Sequence, residues 1–392
     1  MFPGDVDSSK YSQTQRKLKR VLVVGMTDSP HLKRWLDLVI ELQIAKRIFV
    51  FPSTGYEKYI KAKSSKSKTR VSMAAPFTST LFGRGCSYLL EKIFGISWRR
   101  ALLNLALYKT RPQVVHIHEI QHGGYIFDRK VRNLSRIRWV ICSSWGSDLI
   151  LYGKLPSHKT RLIKFLSDVD FLLTERPEEL EVASHLGFKG RFISPLYTAI
   201  GIDNDLIDMA ATSKRNKIVI KGYQDNHGRA LNALRALELV KSNLNNFEIR
   251  VVSASPEVEI EVERLRCARD WNIECLPKQN QGEIYNLLSL SRIYIGLSIS
   301  DGLSTMMVEA MHFGAFPIQS INSGAPAFLI HGKSGFIVDP WDIQAISDSI
   351  DLALTSDTLV DHAAEVNCVC LKEKFNLDYG LNALRNLYLD LI

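Results

Sequence analysis

Short apolar runs alternate with longer amphipathic stretches from about Arg20 onward. A wholly apolar run bounded by turn residues is the pattern of a strand buried on both faces of a parallel sheet. Apolar positions three and four apart mark a helix with one buried stripe. On this basis strands are expected at Arg20–Gly25, Arg47–Phe51, Pro112–His118, Trp139–Ser143 and Phe171–Thr174, with helices at His31–Leu42 and Pro177–Leu186. The alternation resumes with strands at Lys217–Ile220, Phe247–Val252, Ile273–Leu276, Ile293–Gly296 and Phe316–Gln319. Helices are expected from Ala230, over 257–271 and Gln281–Ser289, from Ser304 or Thr305 to Phe313, and over 376–392. Repeated strand–helix alternation implies two doubly wound parallel α/β sheets. The expected organisation is a disordered tail over 1–16, a first domain over 17–197, a linker over 198–216, a second domain over 217–375 and a terminal helix over 376–392.

Charge divides the chain more sharply than composition does. Residues 1–200 hold 33 Lys or Arg and 16 Asp or Glu; residues 201–392 hold 17 and 25. A first half at net +17 beside a second at net −8 points the first half toward an anionic partner: a nucleic acid, an anionic membrane surface or a lipid diphosphate. Nucleic acid is excluded because aromatic residues do not interleave with the basic run at 61–70. That run reads as a solvated loop or as an electrostatic arm toward anionic lipid. Residues 93–108 mix Phe94, Trp98 and leucines with Arg99 and Arg100, and read as a core helix, with an interfacial helix as the alternative. No run of 18 apolar residues predicts a membrane span, and the polar N-terminus predicts no secretory signal. Six cysteines without a CxxC pair suit a reduced, cytoplasmic compartment.

Candidate chemistry gathers at the carboxyl ends of the expected strands, where open α/β sheets bind ligands. After Ile293–Gly296 come Ser298, Ser300, Asp301 and Gly302, then a helix start at Ser304 or Thr305. Free amides and the dipole at that helix start suit an anion, so Gly302, Leu303, Ser304, Thr305 and Met306 are candidate donor contacts. Asp301 and Glu309 can each accept two hydrogen bonds from a vicinal diol. An anion cradle beside two diol acceptors suggests a nucleotide-sugar. Lys221 and Arg229 flank another strand–helix corner and are the expected cations for a diphosphate. In the first half the candidates are His31, His118, His122, Trp145 and Asp148. His116 and His118 share a strand face, a minor metal reading for want of a third ligand.

The ordered tract Asp301, Glu309-Ala310-Met311, Gly314, Phe316-Pro317-Ile318, Ser323-Gly324-Ala325-Pro326 and Gly332-Lys333-Ser334-Gly335 resembles the retaining GT-B glycosyltransferases of family 4, those of bacterial surface-polysaccharide type. Weaker support comes from His31, the His116–His118 strand, the Trp145–Asp148 loop and the Lys221–Arg229 corner. The resemblance implies two Rossmann-like domains facing a cleft, the first on the acceptor side. It implies that Glu309 binds the donor ribose, that Asp301 sits at the anomeric centre with His118 as a further catalytic group, and that Lys221, Arg229 and the 303–306 amides hold the diphosphate. It implies a metal-independent front-face displacement with retention, no cofactor, a lipid-linked or oligosaccharide acceptor, and a cytoplasmic protein peripheral to the membrane. The sequence departs from the pattern in having Asp rather than Glu at 301 and Ala327 where the pattern has Glu. His227 or Tyr223 could take one place of the pattern's Arg/Lys pair. A nucleotide-sugar epimerase and a non-catalytic nucleotide-sugar-binding protein are the alternatives.

Overall fold

The computed structural model describes residues 18–54, 68–135, 137–193, 210–375, 377–389 and 391. The tail read at 1–16, residues 61–67 of the basic segment and most of the connection read at 198–216 lie outside them. The strands are β1 (Leu18–Gly25), β2 (Ala45–Pro52), β3 (Arg70–Met73), β4 (Val114–His118), β5 (Trp139–Ser143), β6 (Phe171–Leu173) and β7 (Arg191–Ile193). They continue as β8 (Lys217–Lys221), β9 (Glu248–Val252), β10 (Asn272–Leu276), β11 (Ser291–Gly296), β12 (Phe316–Ser320) and β13 (Phe336–Val338). One sheet runs β3-β2-β1-β4-β5-β6-β7 and the other β10-β9-β8-β11-β12-β13. Neighbours such as β1 with β2 and with β4, and β8 with β9 and with β11, pair in parallel. Both sheets are doubly wound, and in the second the strand order reverses between β8 and β11. That reversal leaves a crevice at the carboxyl ends of the two strands, the usual ligand position in such sheets.

The chain forms two compact units. One takes in Met1–Ile117, Ile126–Val140 and Leu384–Ile392; the other takes in His118–Tyr125 and Ile141–Ala383. In the first, Val21 to Val24, Ile48 and Phe51 are buried, as apolar runs with helices on both faces must be. Its core also holds His116, whose Nδ1 lies 2.7 Å from the Tyr388 hydroxyl and whose ring meets Trp35 edge-on at 4.6 Å. His116 is therefore a core histidine, and among the described residues no three His, Cys, Asp or Glu stand close enough to hold a metal ion.

In the second unit the alternation of side chains along each strand sorts the core into two clusters. Ile218, Ile220, Ile293 and Ile295 enter one, while Val219 and Tyr294 enter the other. The second cluster receives the helix Thr305–His312 through Met307, Val308, Ala310 and Met311. This fixes the helix start against the end of β11.

Thr69 is buried and donates to the Ala45 carbonyl at 3.0 Å, and Arg70 opens β3, so the end of the basic segment is sheet rather than arm. The stretch 93–108 is not one helix. Gly95, at φ +57°, separates the helix Leu81–Phe94 from Ile96–Thr110. The second of these buries Leu102, Leu103, Ala106 and Leu107 and is a core helix as read. All six cysteines are free.

Candidate active site

The loop after β11 is tied down before it reaches the helix. Ile299 N–H donates to the His227 carbonyl at 2.8 Å, and Arg229 N–H to the Leu297 carbonyl at 3.0 Å. Ser298 bridges Gly228, and its carbonyl accepts the Ser320 hydroxyl. This anchoring places Asp301 over the end of β8. Its Oδ2 lies 3.2 Å from Lys221 Nζ and 3.3 Å from the Ser298 hydroxyl. Burial opposes the charge on Lys221, but the Asp301 carboxylate beside it, with the Tyr294 and Tyr223 hydroxyls, shifts its pKa upward overall. Lys221 is thus a fixed cation.

Ser304 caps the helix, accepting from Met307 N–H at 3.4 Å. The Tyr294 hydroxyl lies nearby, and burial raises its pKa to about 12. Glu309 is buried one turn into the same helix, close enough to Tyr294 to act on its titration. The structure therefore gathers Lys221, Tyr294, Asp301, Ser304 and Glu309 around one helix N-terminus, with Leu303 buried and Thr305 and Met306 half-buried beside them. A helix N-terminus, a cation and two carboxylates on one side can hold an anion and a diol together.

Arg229 is turned elsewhere. Its guanidinium stacks on Trp341 at 4.4 Å and donates to the carbonyls of Asp225 at 2.5 Å and Gly228 at 2.7 Å. His227 pairs with Asp225 at 3.5 Å.

Sequence reading missed an acidic set that braces the cradle from β5 and β6. Glu175 Oε2 accepts Leu303 N–H at 2.9 Å. Glu179 accepts the Ser144 hydroxyl and the amides of Glu175 at 3.2 Å and Arg176 at 3.1 Å. Arg176 donates to the carbonyls of Asp301 at 3.4 Å and Asn322 at 3.1 Å. Three glycines let these backbones meet. A Cβ on Gly146, already at φ +74°, would stand 2.1 Å from Gly302 N; one on Gly324 would stand 2.2 Å from Gly302 O; one on Gly302 would stand 2.2 Å from Glu175 Oε2. Ser147 adds a bond to the Ser300 carbonyl at 3.0 Å. The available signal was a Thr-Glu-Arg-Pro-Glu-Glu run directly after a strand, too polar for an ordinary connection.

Burial raises the carboxyl pKa of Glu175 to about 8, of Glu179 to about 7 and of Asp148 to about 8. Asp148 accepts Trp145 N–H at 2.9 Å, which makes the Trp145–Asp148 segment a closed turn. His118 is buried at the end of β4, its ring 6.4 Å from that of Trp145, and burial lowers its pKa to about 3. It is a neutral imidazole at physiological pH. Glu119, at φ +66°, takes the His122 and Gly123 amides, each at 2.8 Å, and lies 3.0 Å from the exposed ring of His122. His118, His122, Trp145 and Asp148 all belong to the unit that holds the cradle. His31 belongs to the other, where its amide donates to the Ser29 hydroxyl at the start of the helix Pro30–Glu41.

Residues 205–366 match the family profile "Glycosyl transferases group 1". Sucrose synthase from Solanum tuberosum is 24% identical over 249 residues, 59% of this chain and 27% of that protein. The chain thus spans about a quarter of the length of the curated relatives it matches. Sucrose-phosphate synthase from Thermosynechococcus elongatus superposes with a TM-score of 0.71 at 14% identity, covering 95% of this chain and 99% of that one. Anabaena HepE in complex with UDP and glucose gives 0.64 at 14%, covering 94% and 99%. The lipopolysaccharide outer core galactosyltransferase WaaB gives 0.67 at 14%, covering 95% and 100%. At these identities the structural likeness establishes the fold, GT-B.

Proposed function

We propose that this chain, whose residues 205–366 match the group 1 glycosyl transferases, is a retaining GT-B enzyme that transfers a sugar from a nucleotide-sugar to a lipid-linked or saccharide acceptor in surface polysaccharide assembly. The observation that carries this reading is the pairing of Lys221 with Asp301 at the start of the helix that buries Glu309. Lys221 and the amides of Ser304 to Met306 receive the donor diphosphate, the Leu303 amide being held by Glu175, with Arg229 available if its loop turns. Glu309 accepts from the ribose diol. Asp301 stands by the sugar at its anomeric carbon, and His118 with the Trp145–Asp148 turn serves the acceptor side. Residues 17–197 supply the acceptor domain and 217–375 the donor domain.

In this reading the bond from C1 to the diphosphate oxygen breaks on the face where the acceptor oxygen bonds to C1. The acceptor's hydroxyl proton passes to the departing diphosphate. Negative charge grows on that oxygen as the bond breaks, and a fixed cation and helix amides stabilise it without reorganising. A uridine diphosphate sugar is the first donor to try, because HepE was solved with UDP and glucose and with UDP-glucose.

The test is nucleotide release from a panel of nucleotide-sugars, with simple saccharides and lipid diphosphate-linked sugars as acceptors. The configuration of the new linkage is then read by NMR. The reading expects one donor to dominate and its configuration to be kept. Release from no donor, together with no thermal shift on adding any nucleoside diphosphate, would refute it.

A further inference from the structure

The helix Leu81–Phe94 is mounted with its apolar stripe facing solvent. Leu81 is 82% exposed, Phe82 83%, Leu89 60% and Ile93 70%, with Tyr88 and Phe94 beside them. What it turns inward is small: Gly83 and Ser87. A Cβ at Gly83 would stand 1.8 Å from the Phe77 carbonyl, so the helix rests directly on the turn Pro76–Ser79 and cannot rotate its stripe inward. The Thr80 hydroxyl accepts Gly83 N–H at 3.0 Å, and Trp98 Nε1 donates to Ser87 at 3.2 Å, which holds the same face down. Leu105 and Tyr108 of the neighbouring helix Ile96–Thr110 are also exposed.

The chain on either side of this stripe is basic. Residues 68–111 hold eight Lys or Arg and a single acid, Glu91, which is paired with Arg99 at 2.9 Å. Lys92 lies over the Tyr88 ring at 4.9 Å. Large exposed apolar side chains in one helical stripe mark a surface that some partner covers. Basic residues flanking an aliphatic and aromatic stripe are the composition of a helix lying in the headgroup region of an anionic bilayer. Among the described residues no helix is long and apolar enough to cross a membrane.

We infer that the helix Leu81–Phe94 docks this protein on an anionic lipid bilayer, its Leu81–Phe82–Leu89–Ile93 stripe entering the headgroup region and its basic surroundings meeting lipid phosphates. The inference deepens the reading of a lipid-linked acceptor: it names the element that brings the enzyme to such an acceptor. The stretch 93–108 reads in the sequence as a core helix with an interfacial helix as the alternative; the exposed apolar stripe lies instead on 81–94.

The test is vesicle co-sedimentation of the full chain, which reads binding without turnover. Vesicles of phosphatidylglycerol and phosphatidylcholine in equal parts are compared with phosphatidylcholine alone. The expected result is binding to the anionic vesicles that weakens with salt. The variant F82S/I93S should bind on the order of a hundredfold less, the loss of two large apolar side chains from the buried face. Both positions are exposed, so its melting temperature and its nucleotide release in detergent-free solution should match the wild type. Failure of F82S/I93S to lower binding, or no wild-type binding, overturns the inference. A wild-type dimer in sedimentation that F82S/I93S dissociates also overturns it and assigns the stripe to a second copy of the chain. Absence of nucleotide release from any donor bears on the proposed reaction and leaves the vesicle result standing.

Discussion

Glu175 offers a test of the acidic brace. Its carboxyl lies against Gly302 and accepts Leu303 N–H, the amide that leads into the proposed phosphate cradle. Burial lifts its pKa from 4.5 to about 8, with Glu179, Asp301 and Asp148 adding to the rise. At pH 7 the group is then about 90% protonated, so a donor diphosphate does not face a full negative charge there. The unfolded chain ionises Glu175 near pH 4.5, so between about pH 5 and 8 the folded state holds a proton that the unfolded state has lost. Stability must fall as pH rises through that window. A lone group shifted this far would contribute about 5 kcal/mol to the fall, at about 1.4 kcal/mol per pKa unit. Its neighbours share the titration, so removing one member should recover about 2–3 kcal/mol. Glu175→Gln keeps an oxygen for Leu303 N–H and removes the titration. Melting temperatures of wild type and variant should agree near pH 5, separate progressively up to about pH 8 and run parallel above it, the variant melting higher by about 4–6 °C at pH 9. Parallel curves for the two proteins would refute the account of a buried, protonated brace.

Three further outcomes follow from the cradle. Asp301→Asn should lower kcat on the order of 10²–10³-fold if Asp301 serves the transition state, while nucleoside diphosphate binding by calorimetry holds or tightens because Lys221 loses its anionic partner. Glu309→Gln should weaken nucleoside diphosphate binding about tenfold, the difference between charge-assisted and neutral hydrogen bonds to a diol, with no matching fall in melting temperature. Ser304→Ala removes the cap from the helix Thr305–His312 and should cost about 1 kcal/mol of stability, read as a shift of the urea midpoint.

The strands of the second sheet were legible because one physical cause wrote them. β8 and β11 carry apolar centres buried on both faces, Ile218 to Ile220 and Ile293 to Ile295, and β9 alternates the half-buried Glu248 and Arg250 with buried apolar residues; the outgoing loops of β8 and β11 are marked by glycine and polar residues. The same logic found the helix at Thr305, where a serine cap and a buried apolar face coincide. It overlooked β3, whose short sequence Arg-Val-Ser-Met is exposed at the sheet edge and carries no apolar run. The helix Leu81–Phe94 escaped for the opposite reason: its apolar stripe is real but points outward, and periodicity alone does not say which way a stripe faces.

The site divides along the same line. Asp301, Ser304 and Glu309 lie within one strand–loop–helix unit, so local spacing could place them on one corner. Lys221 is 80 residues from Asp301, yet it was found as a cation at a strand–helix corner, and the fold sets that strand beside β11 at the switch in strand order. Arg229 obeyed the same placement rule and still turned away, because Trp341 and two carbonyls of its own loop satisfy its guanidinium. Glu175 could not be found by spacing at all. Its role depends on a backbone approach that Gly146, Gly302 and Gly324 make possible, and three glycines scattered through the sequence reveal nothing of their meeting until the chain is folded. Polar residues at strand ends therefore locate a crevice in a doubly wound sheet, while the partners that set their charge come from distant backbone contacts. The pH dependence of Glu175→Gln tests the part of the site that only the fold could supply.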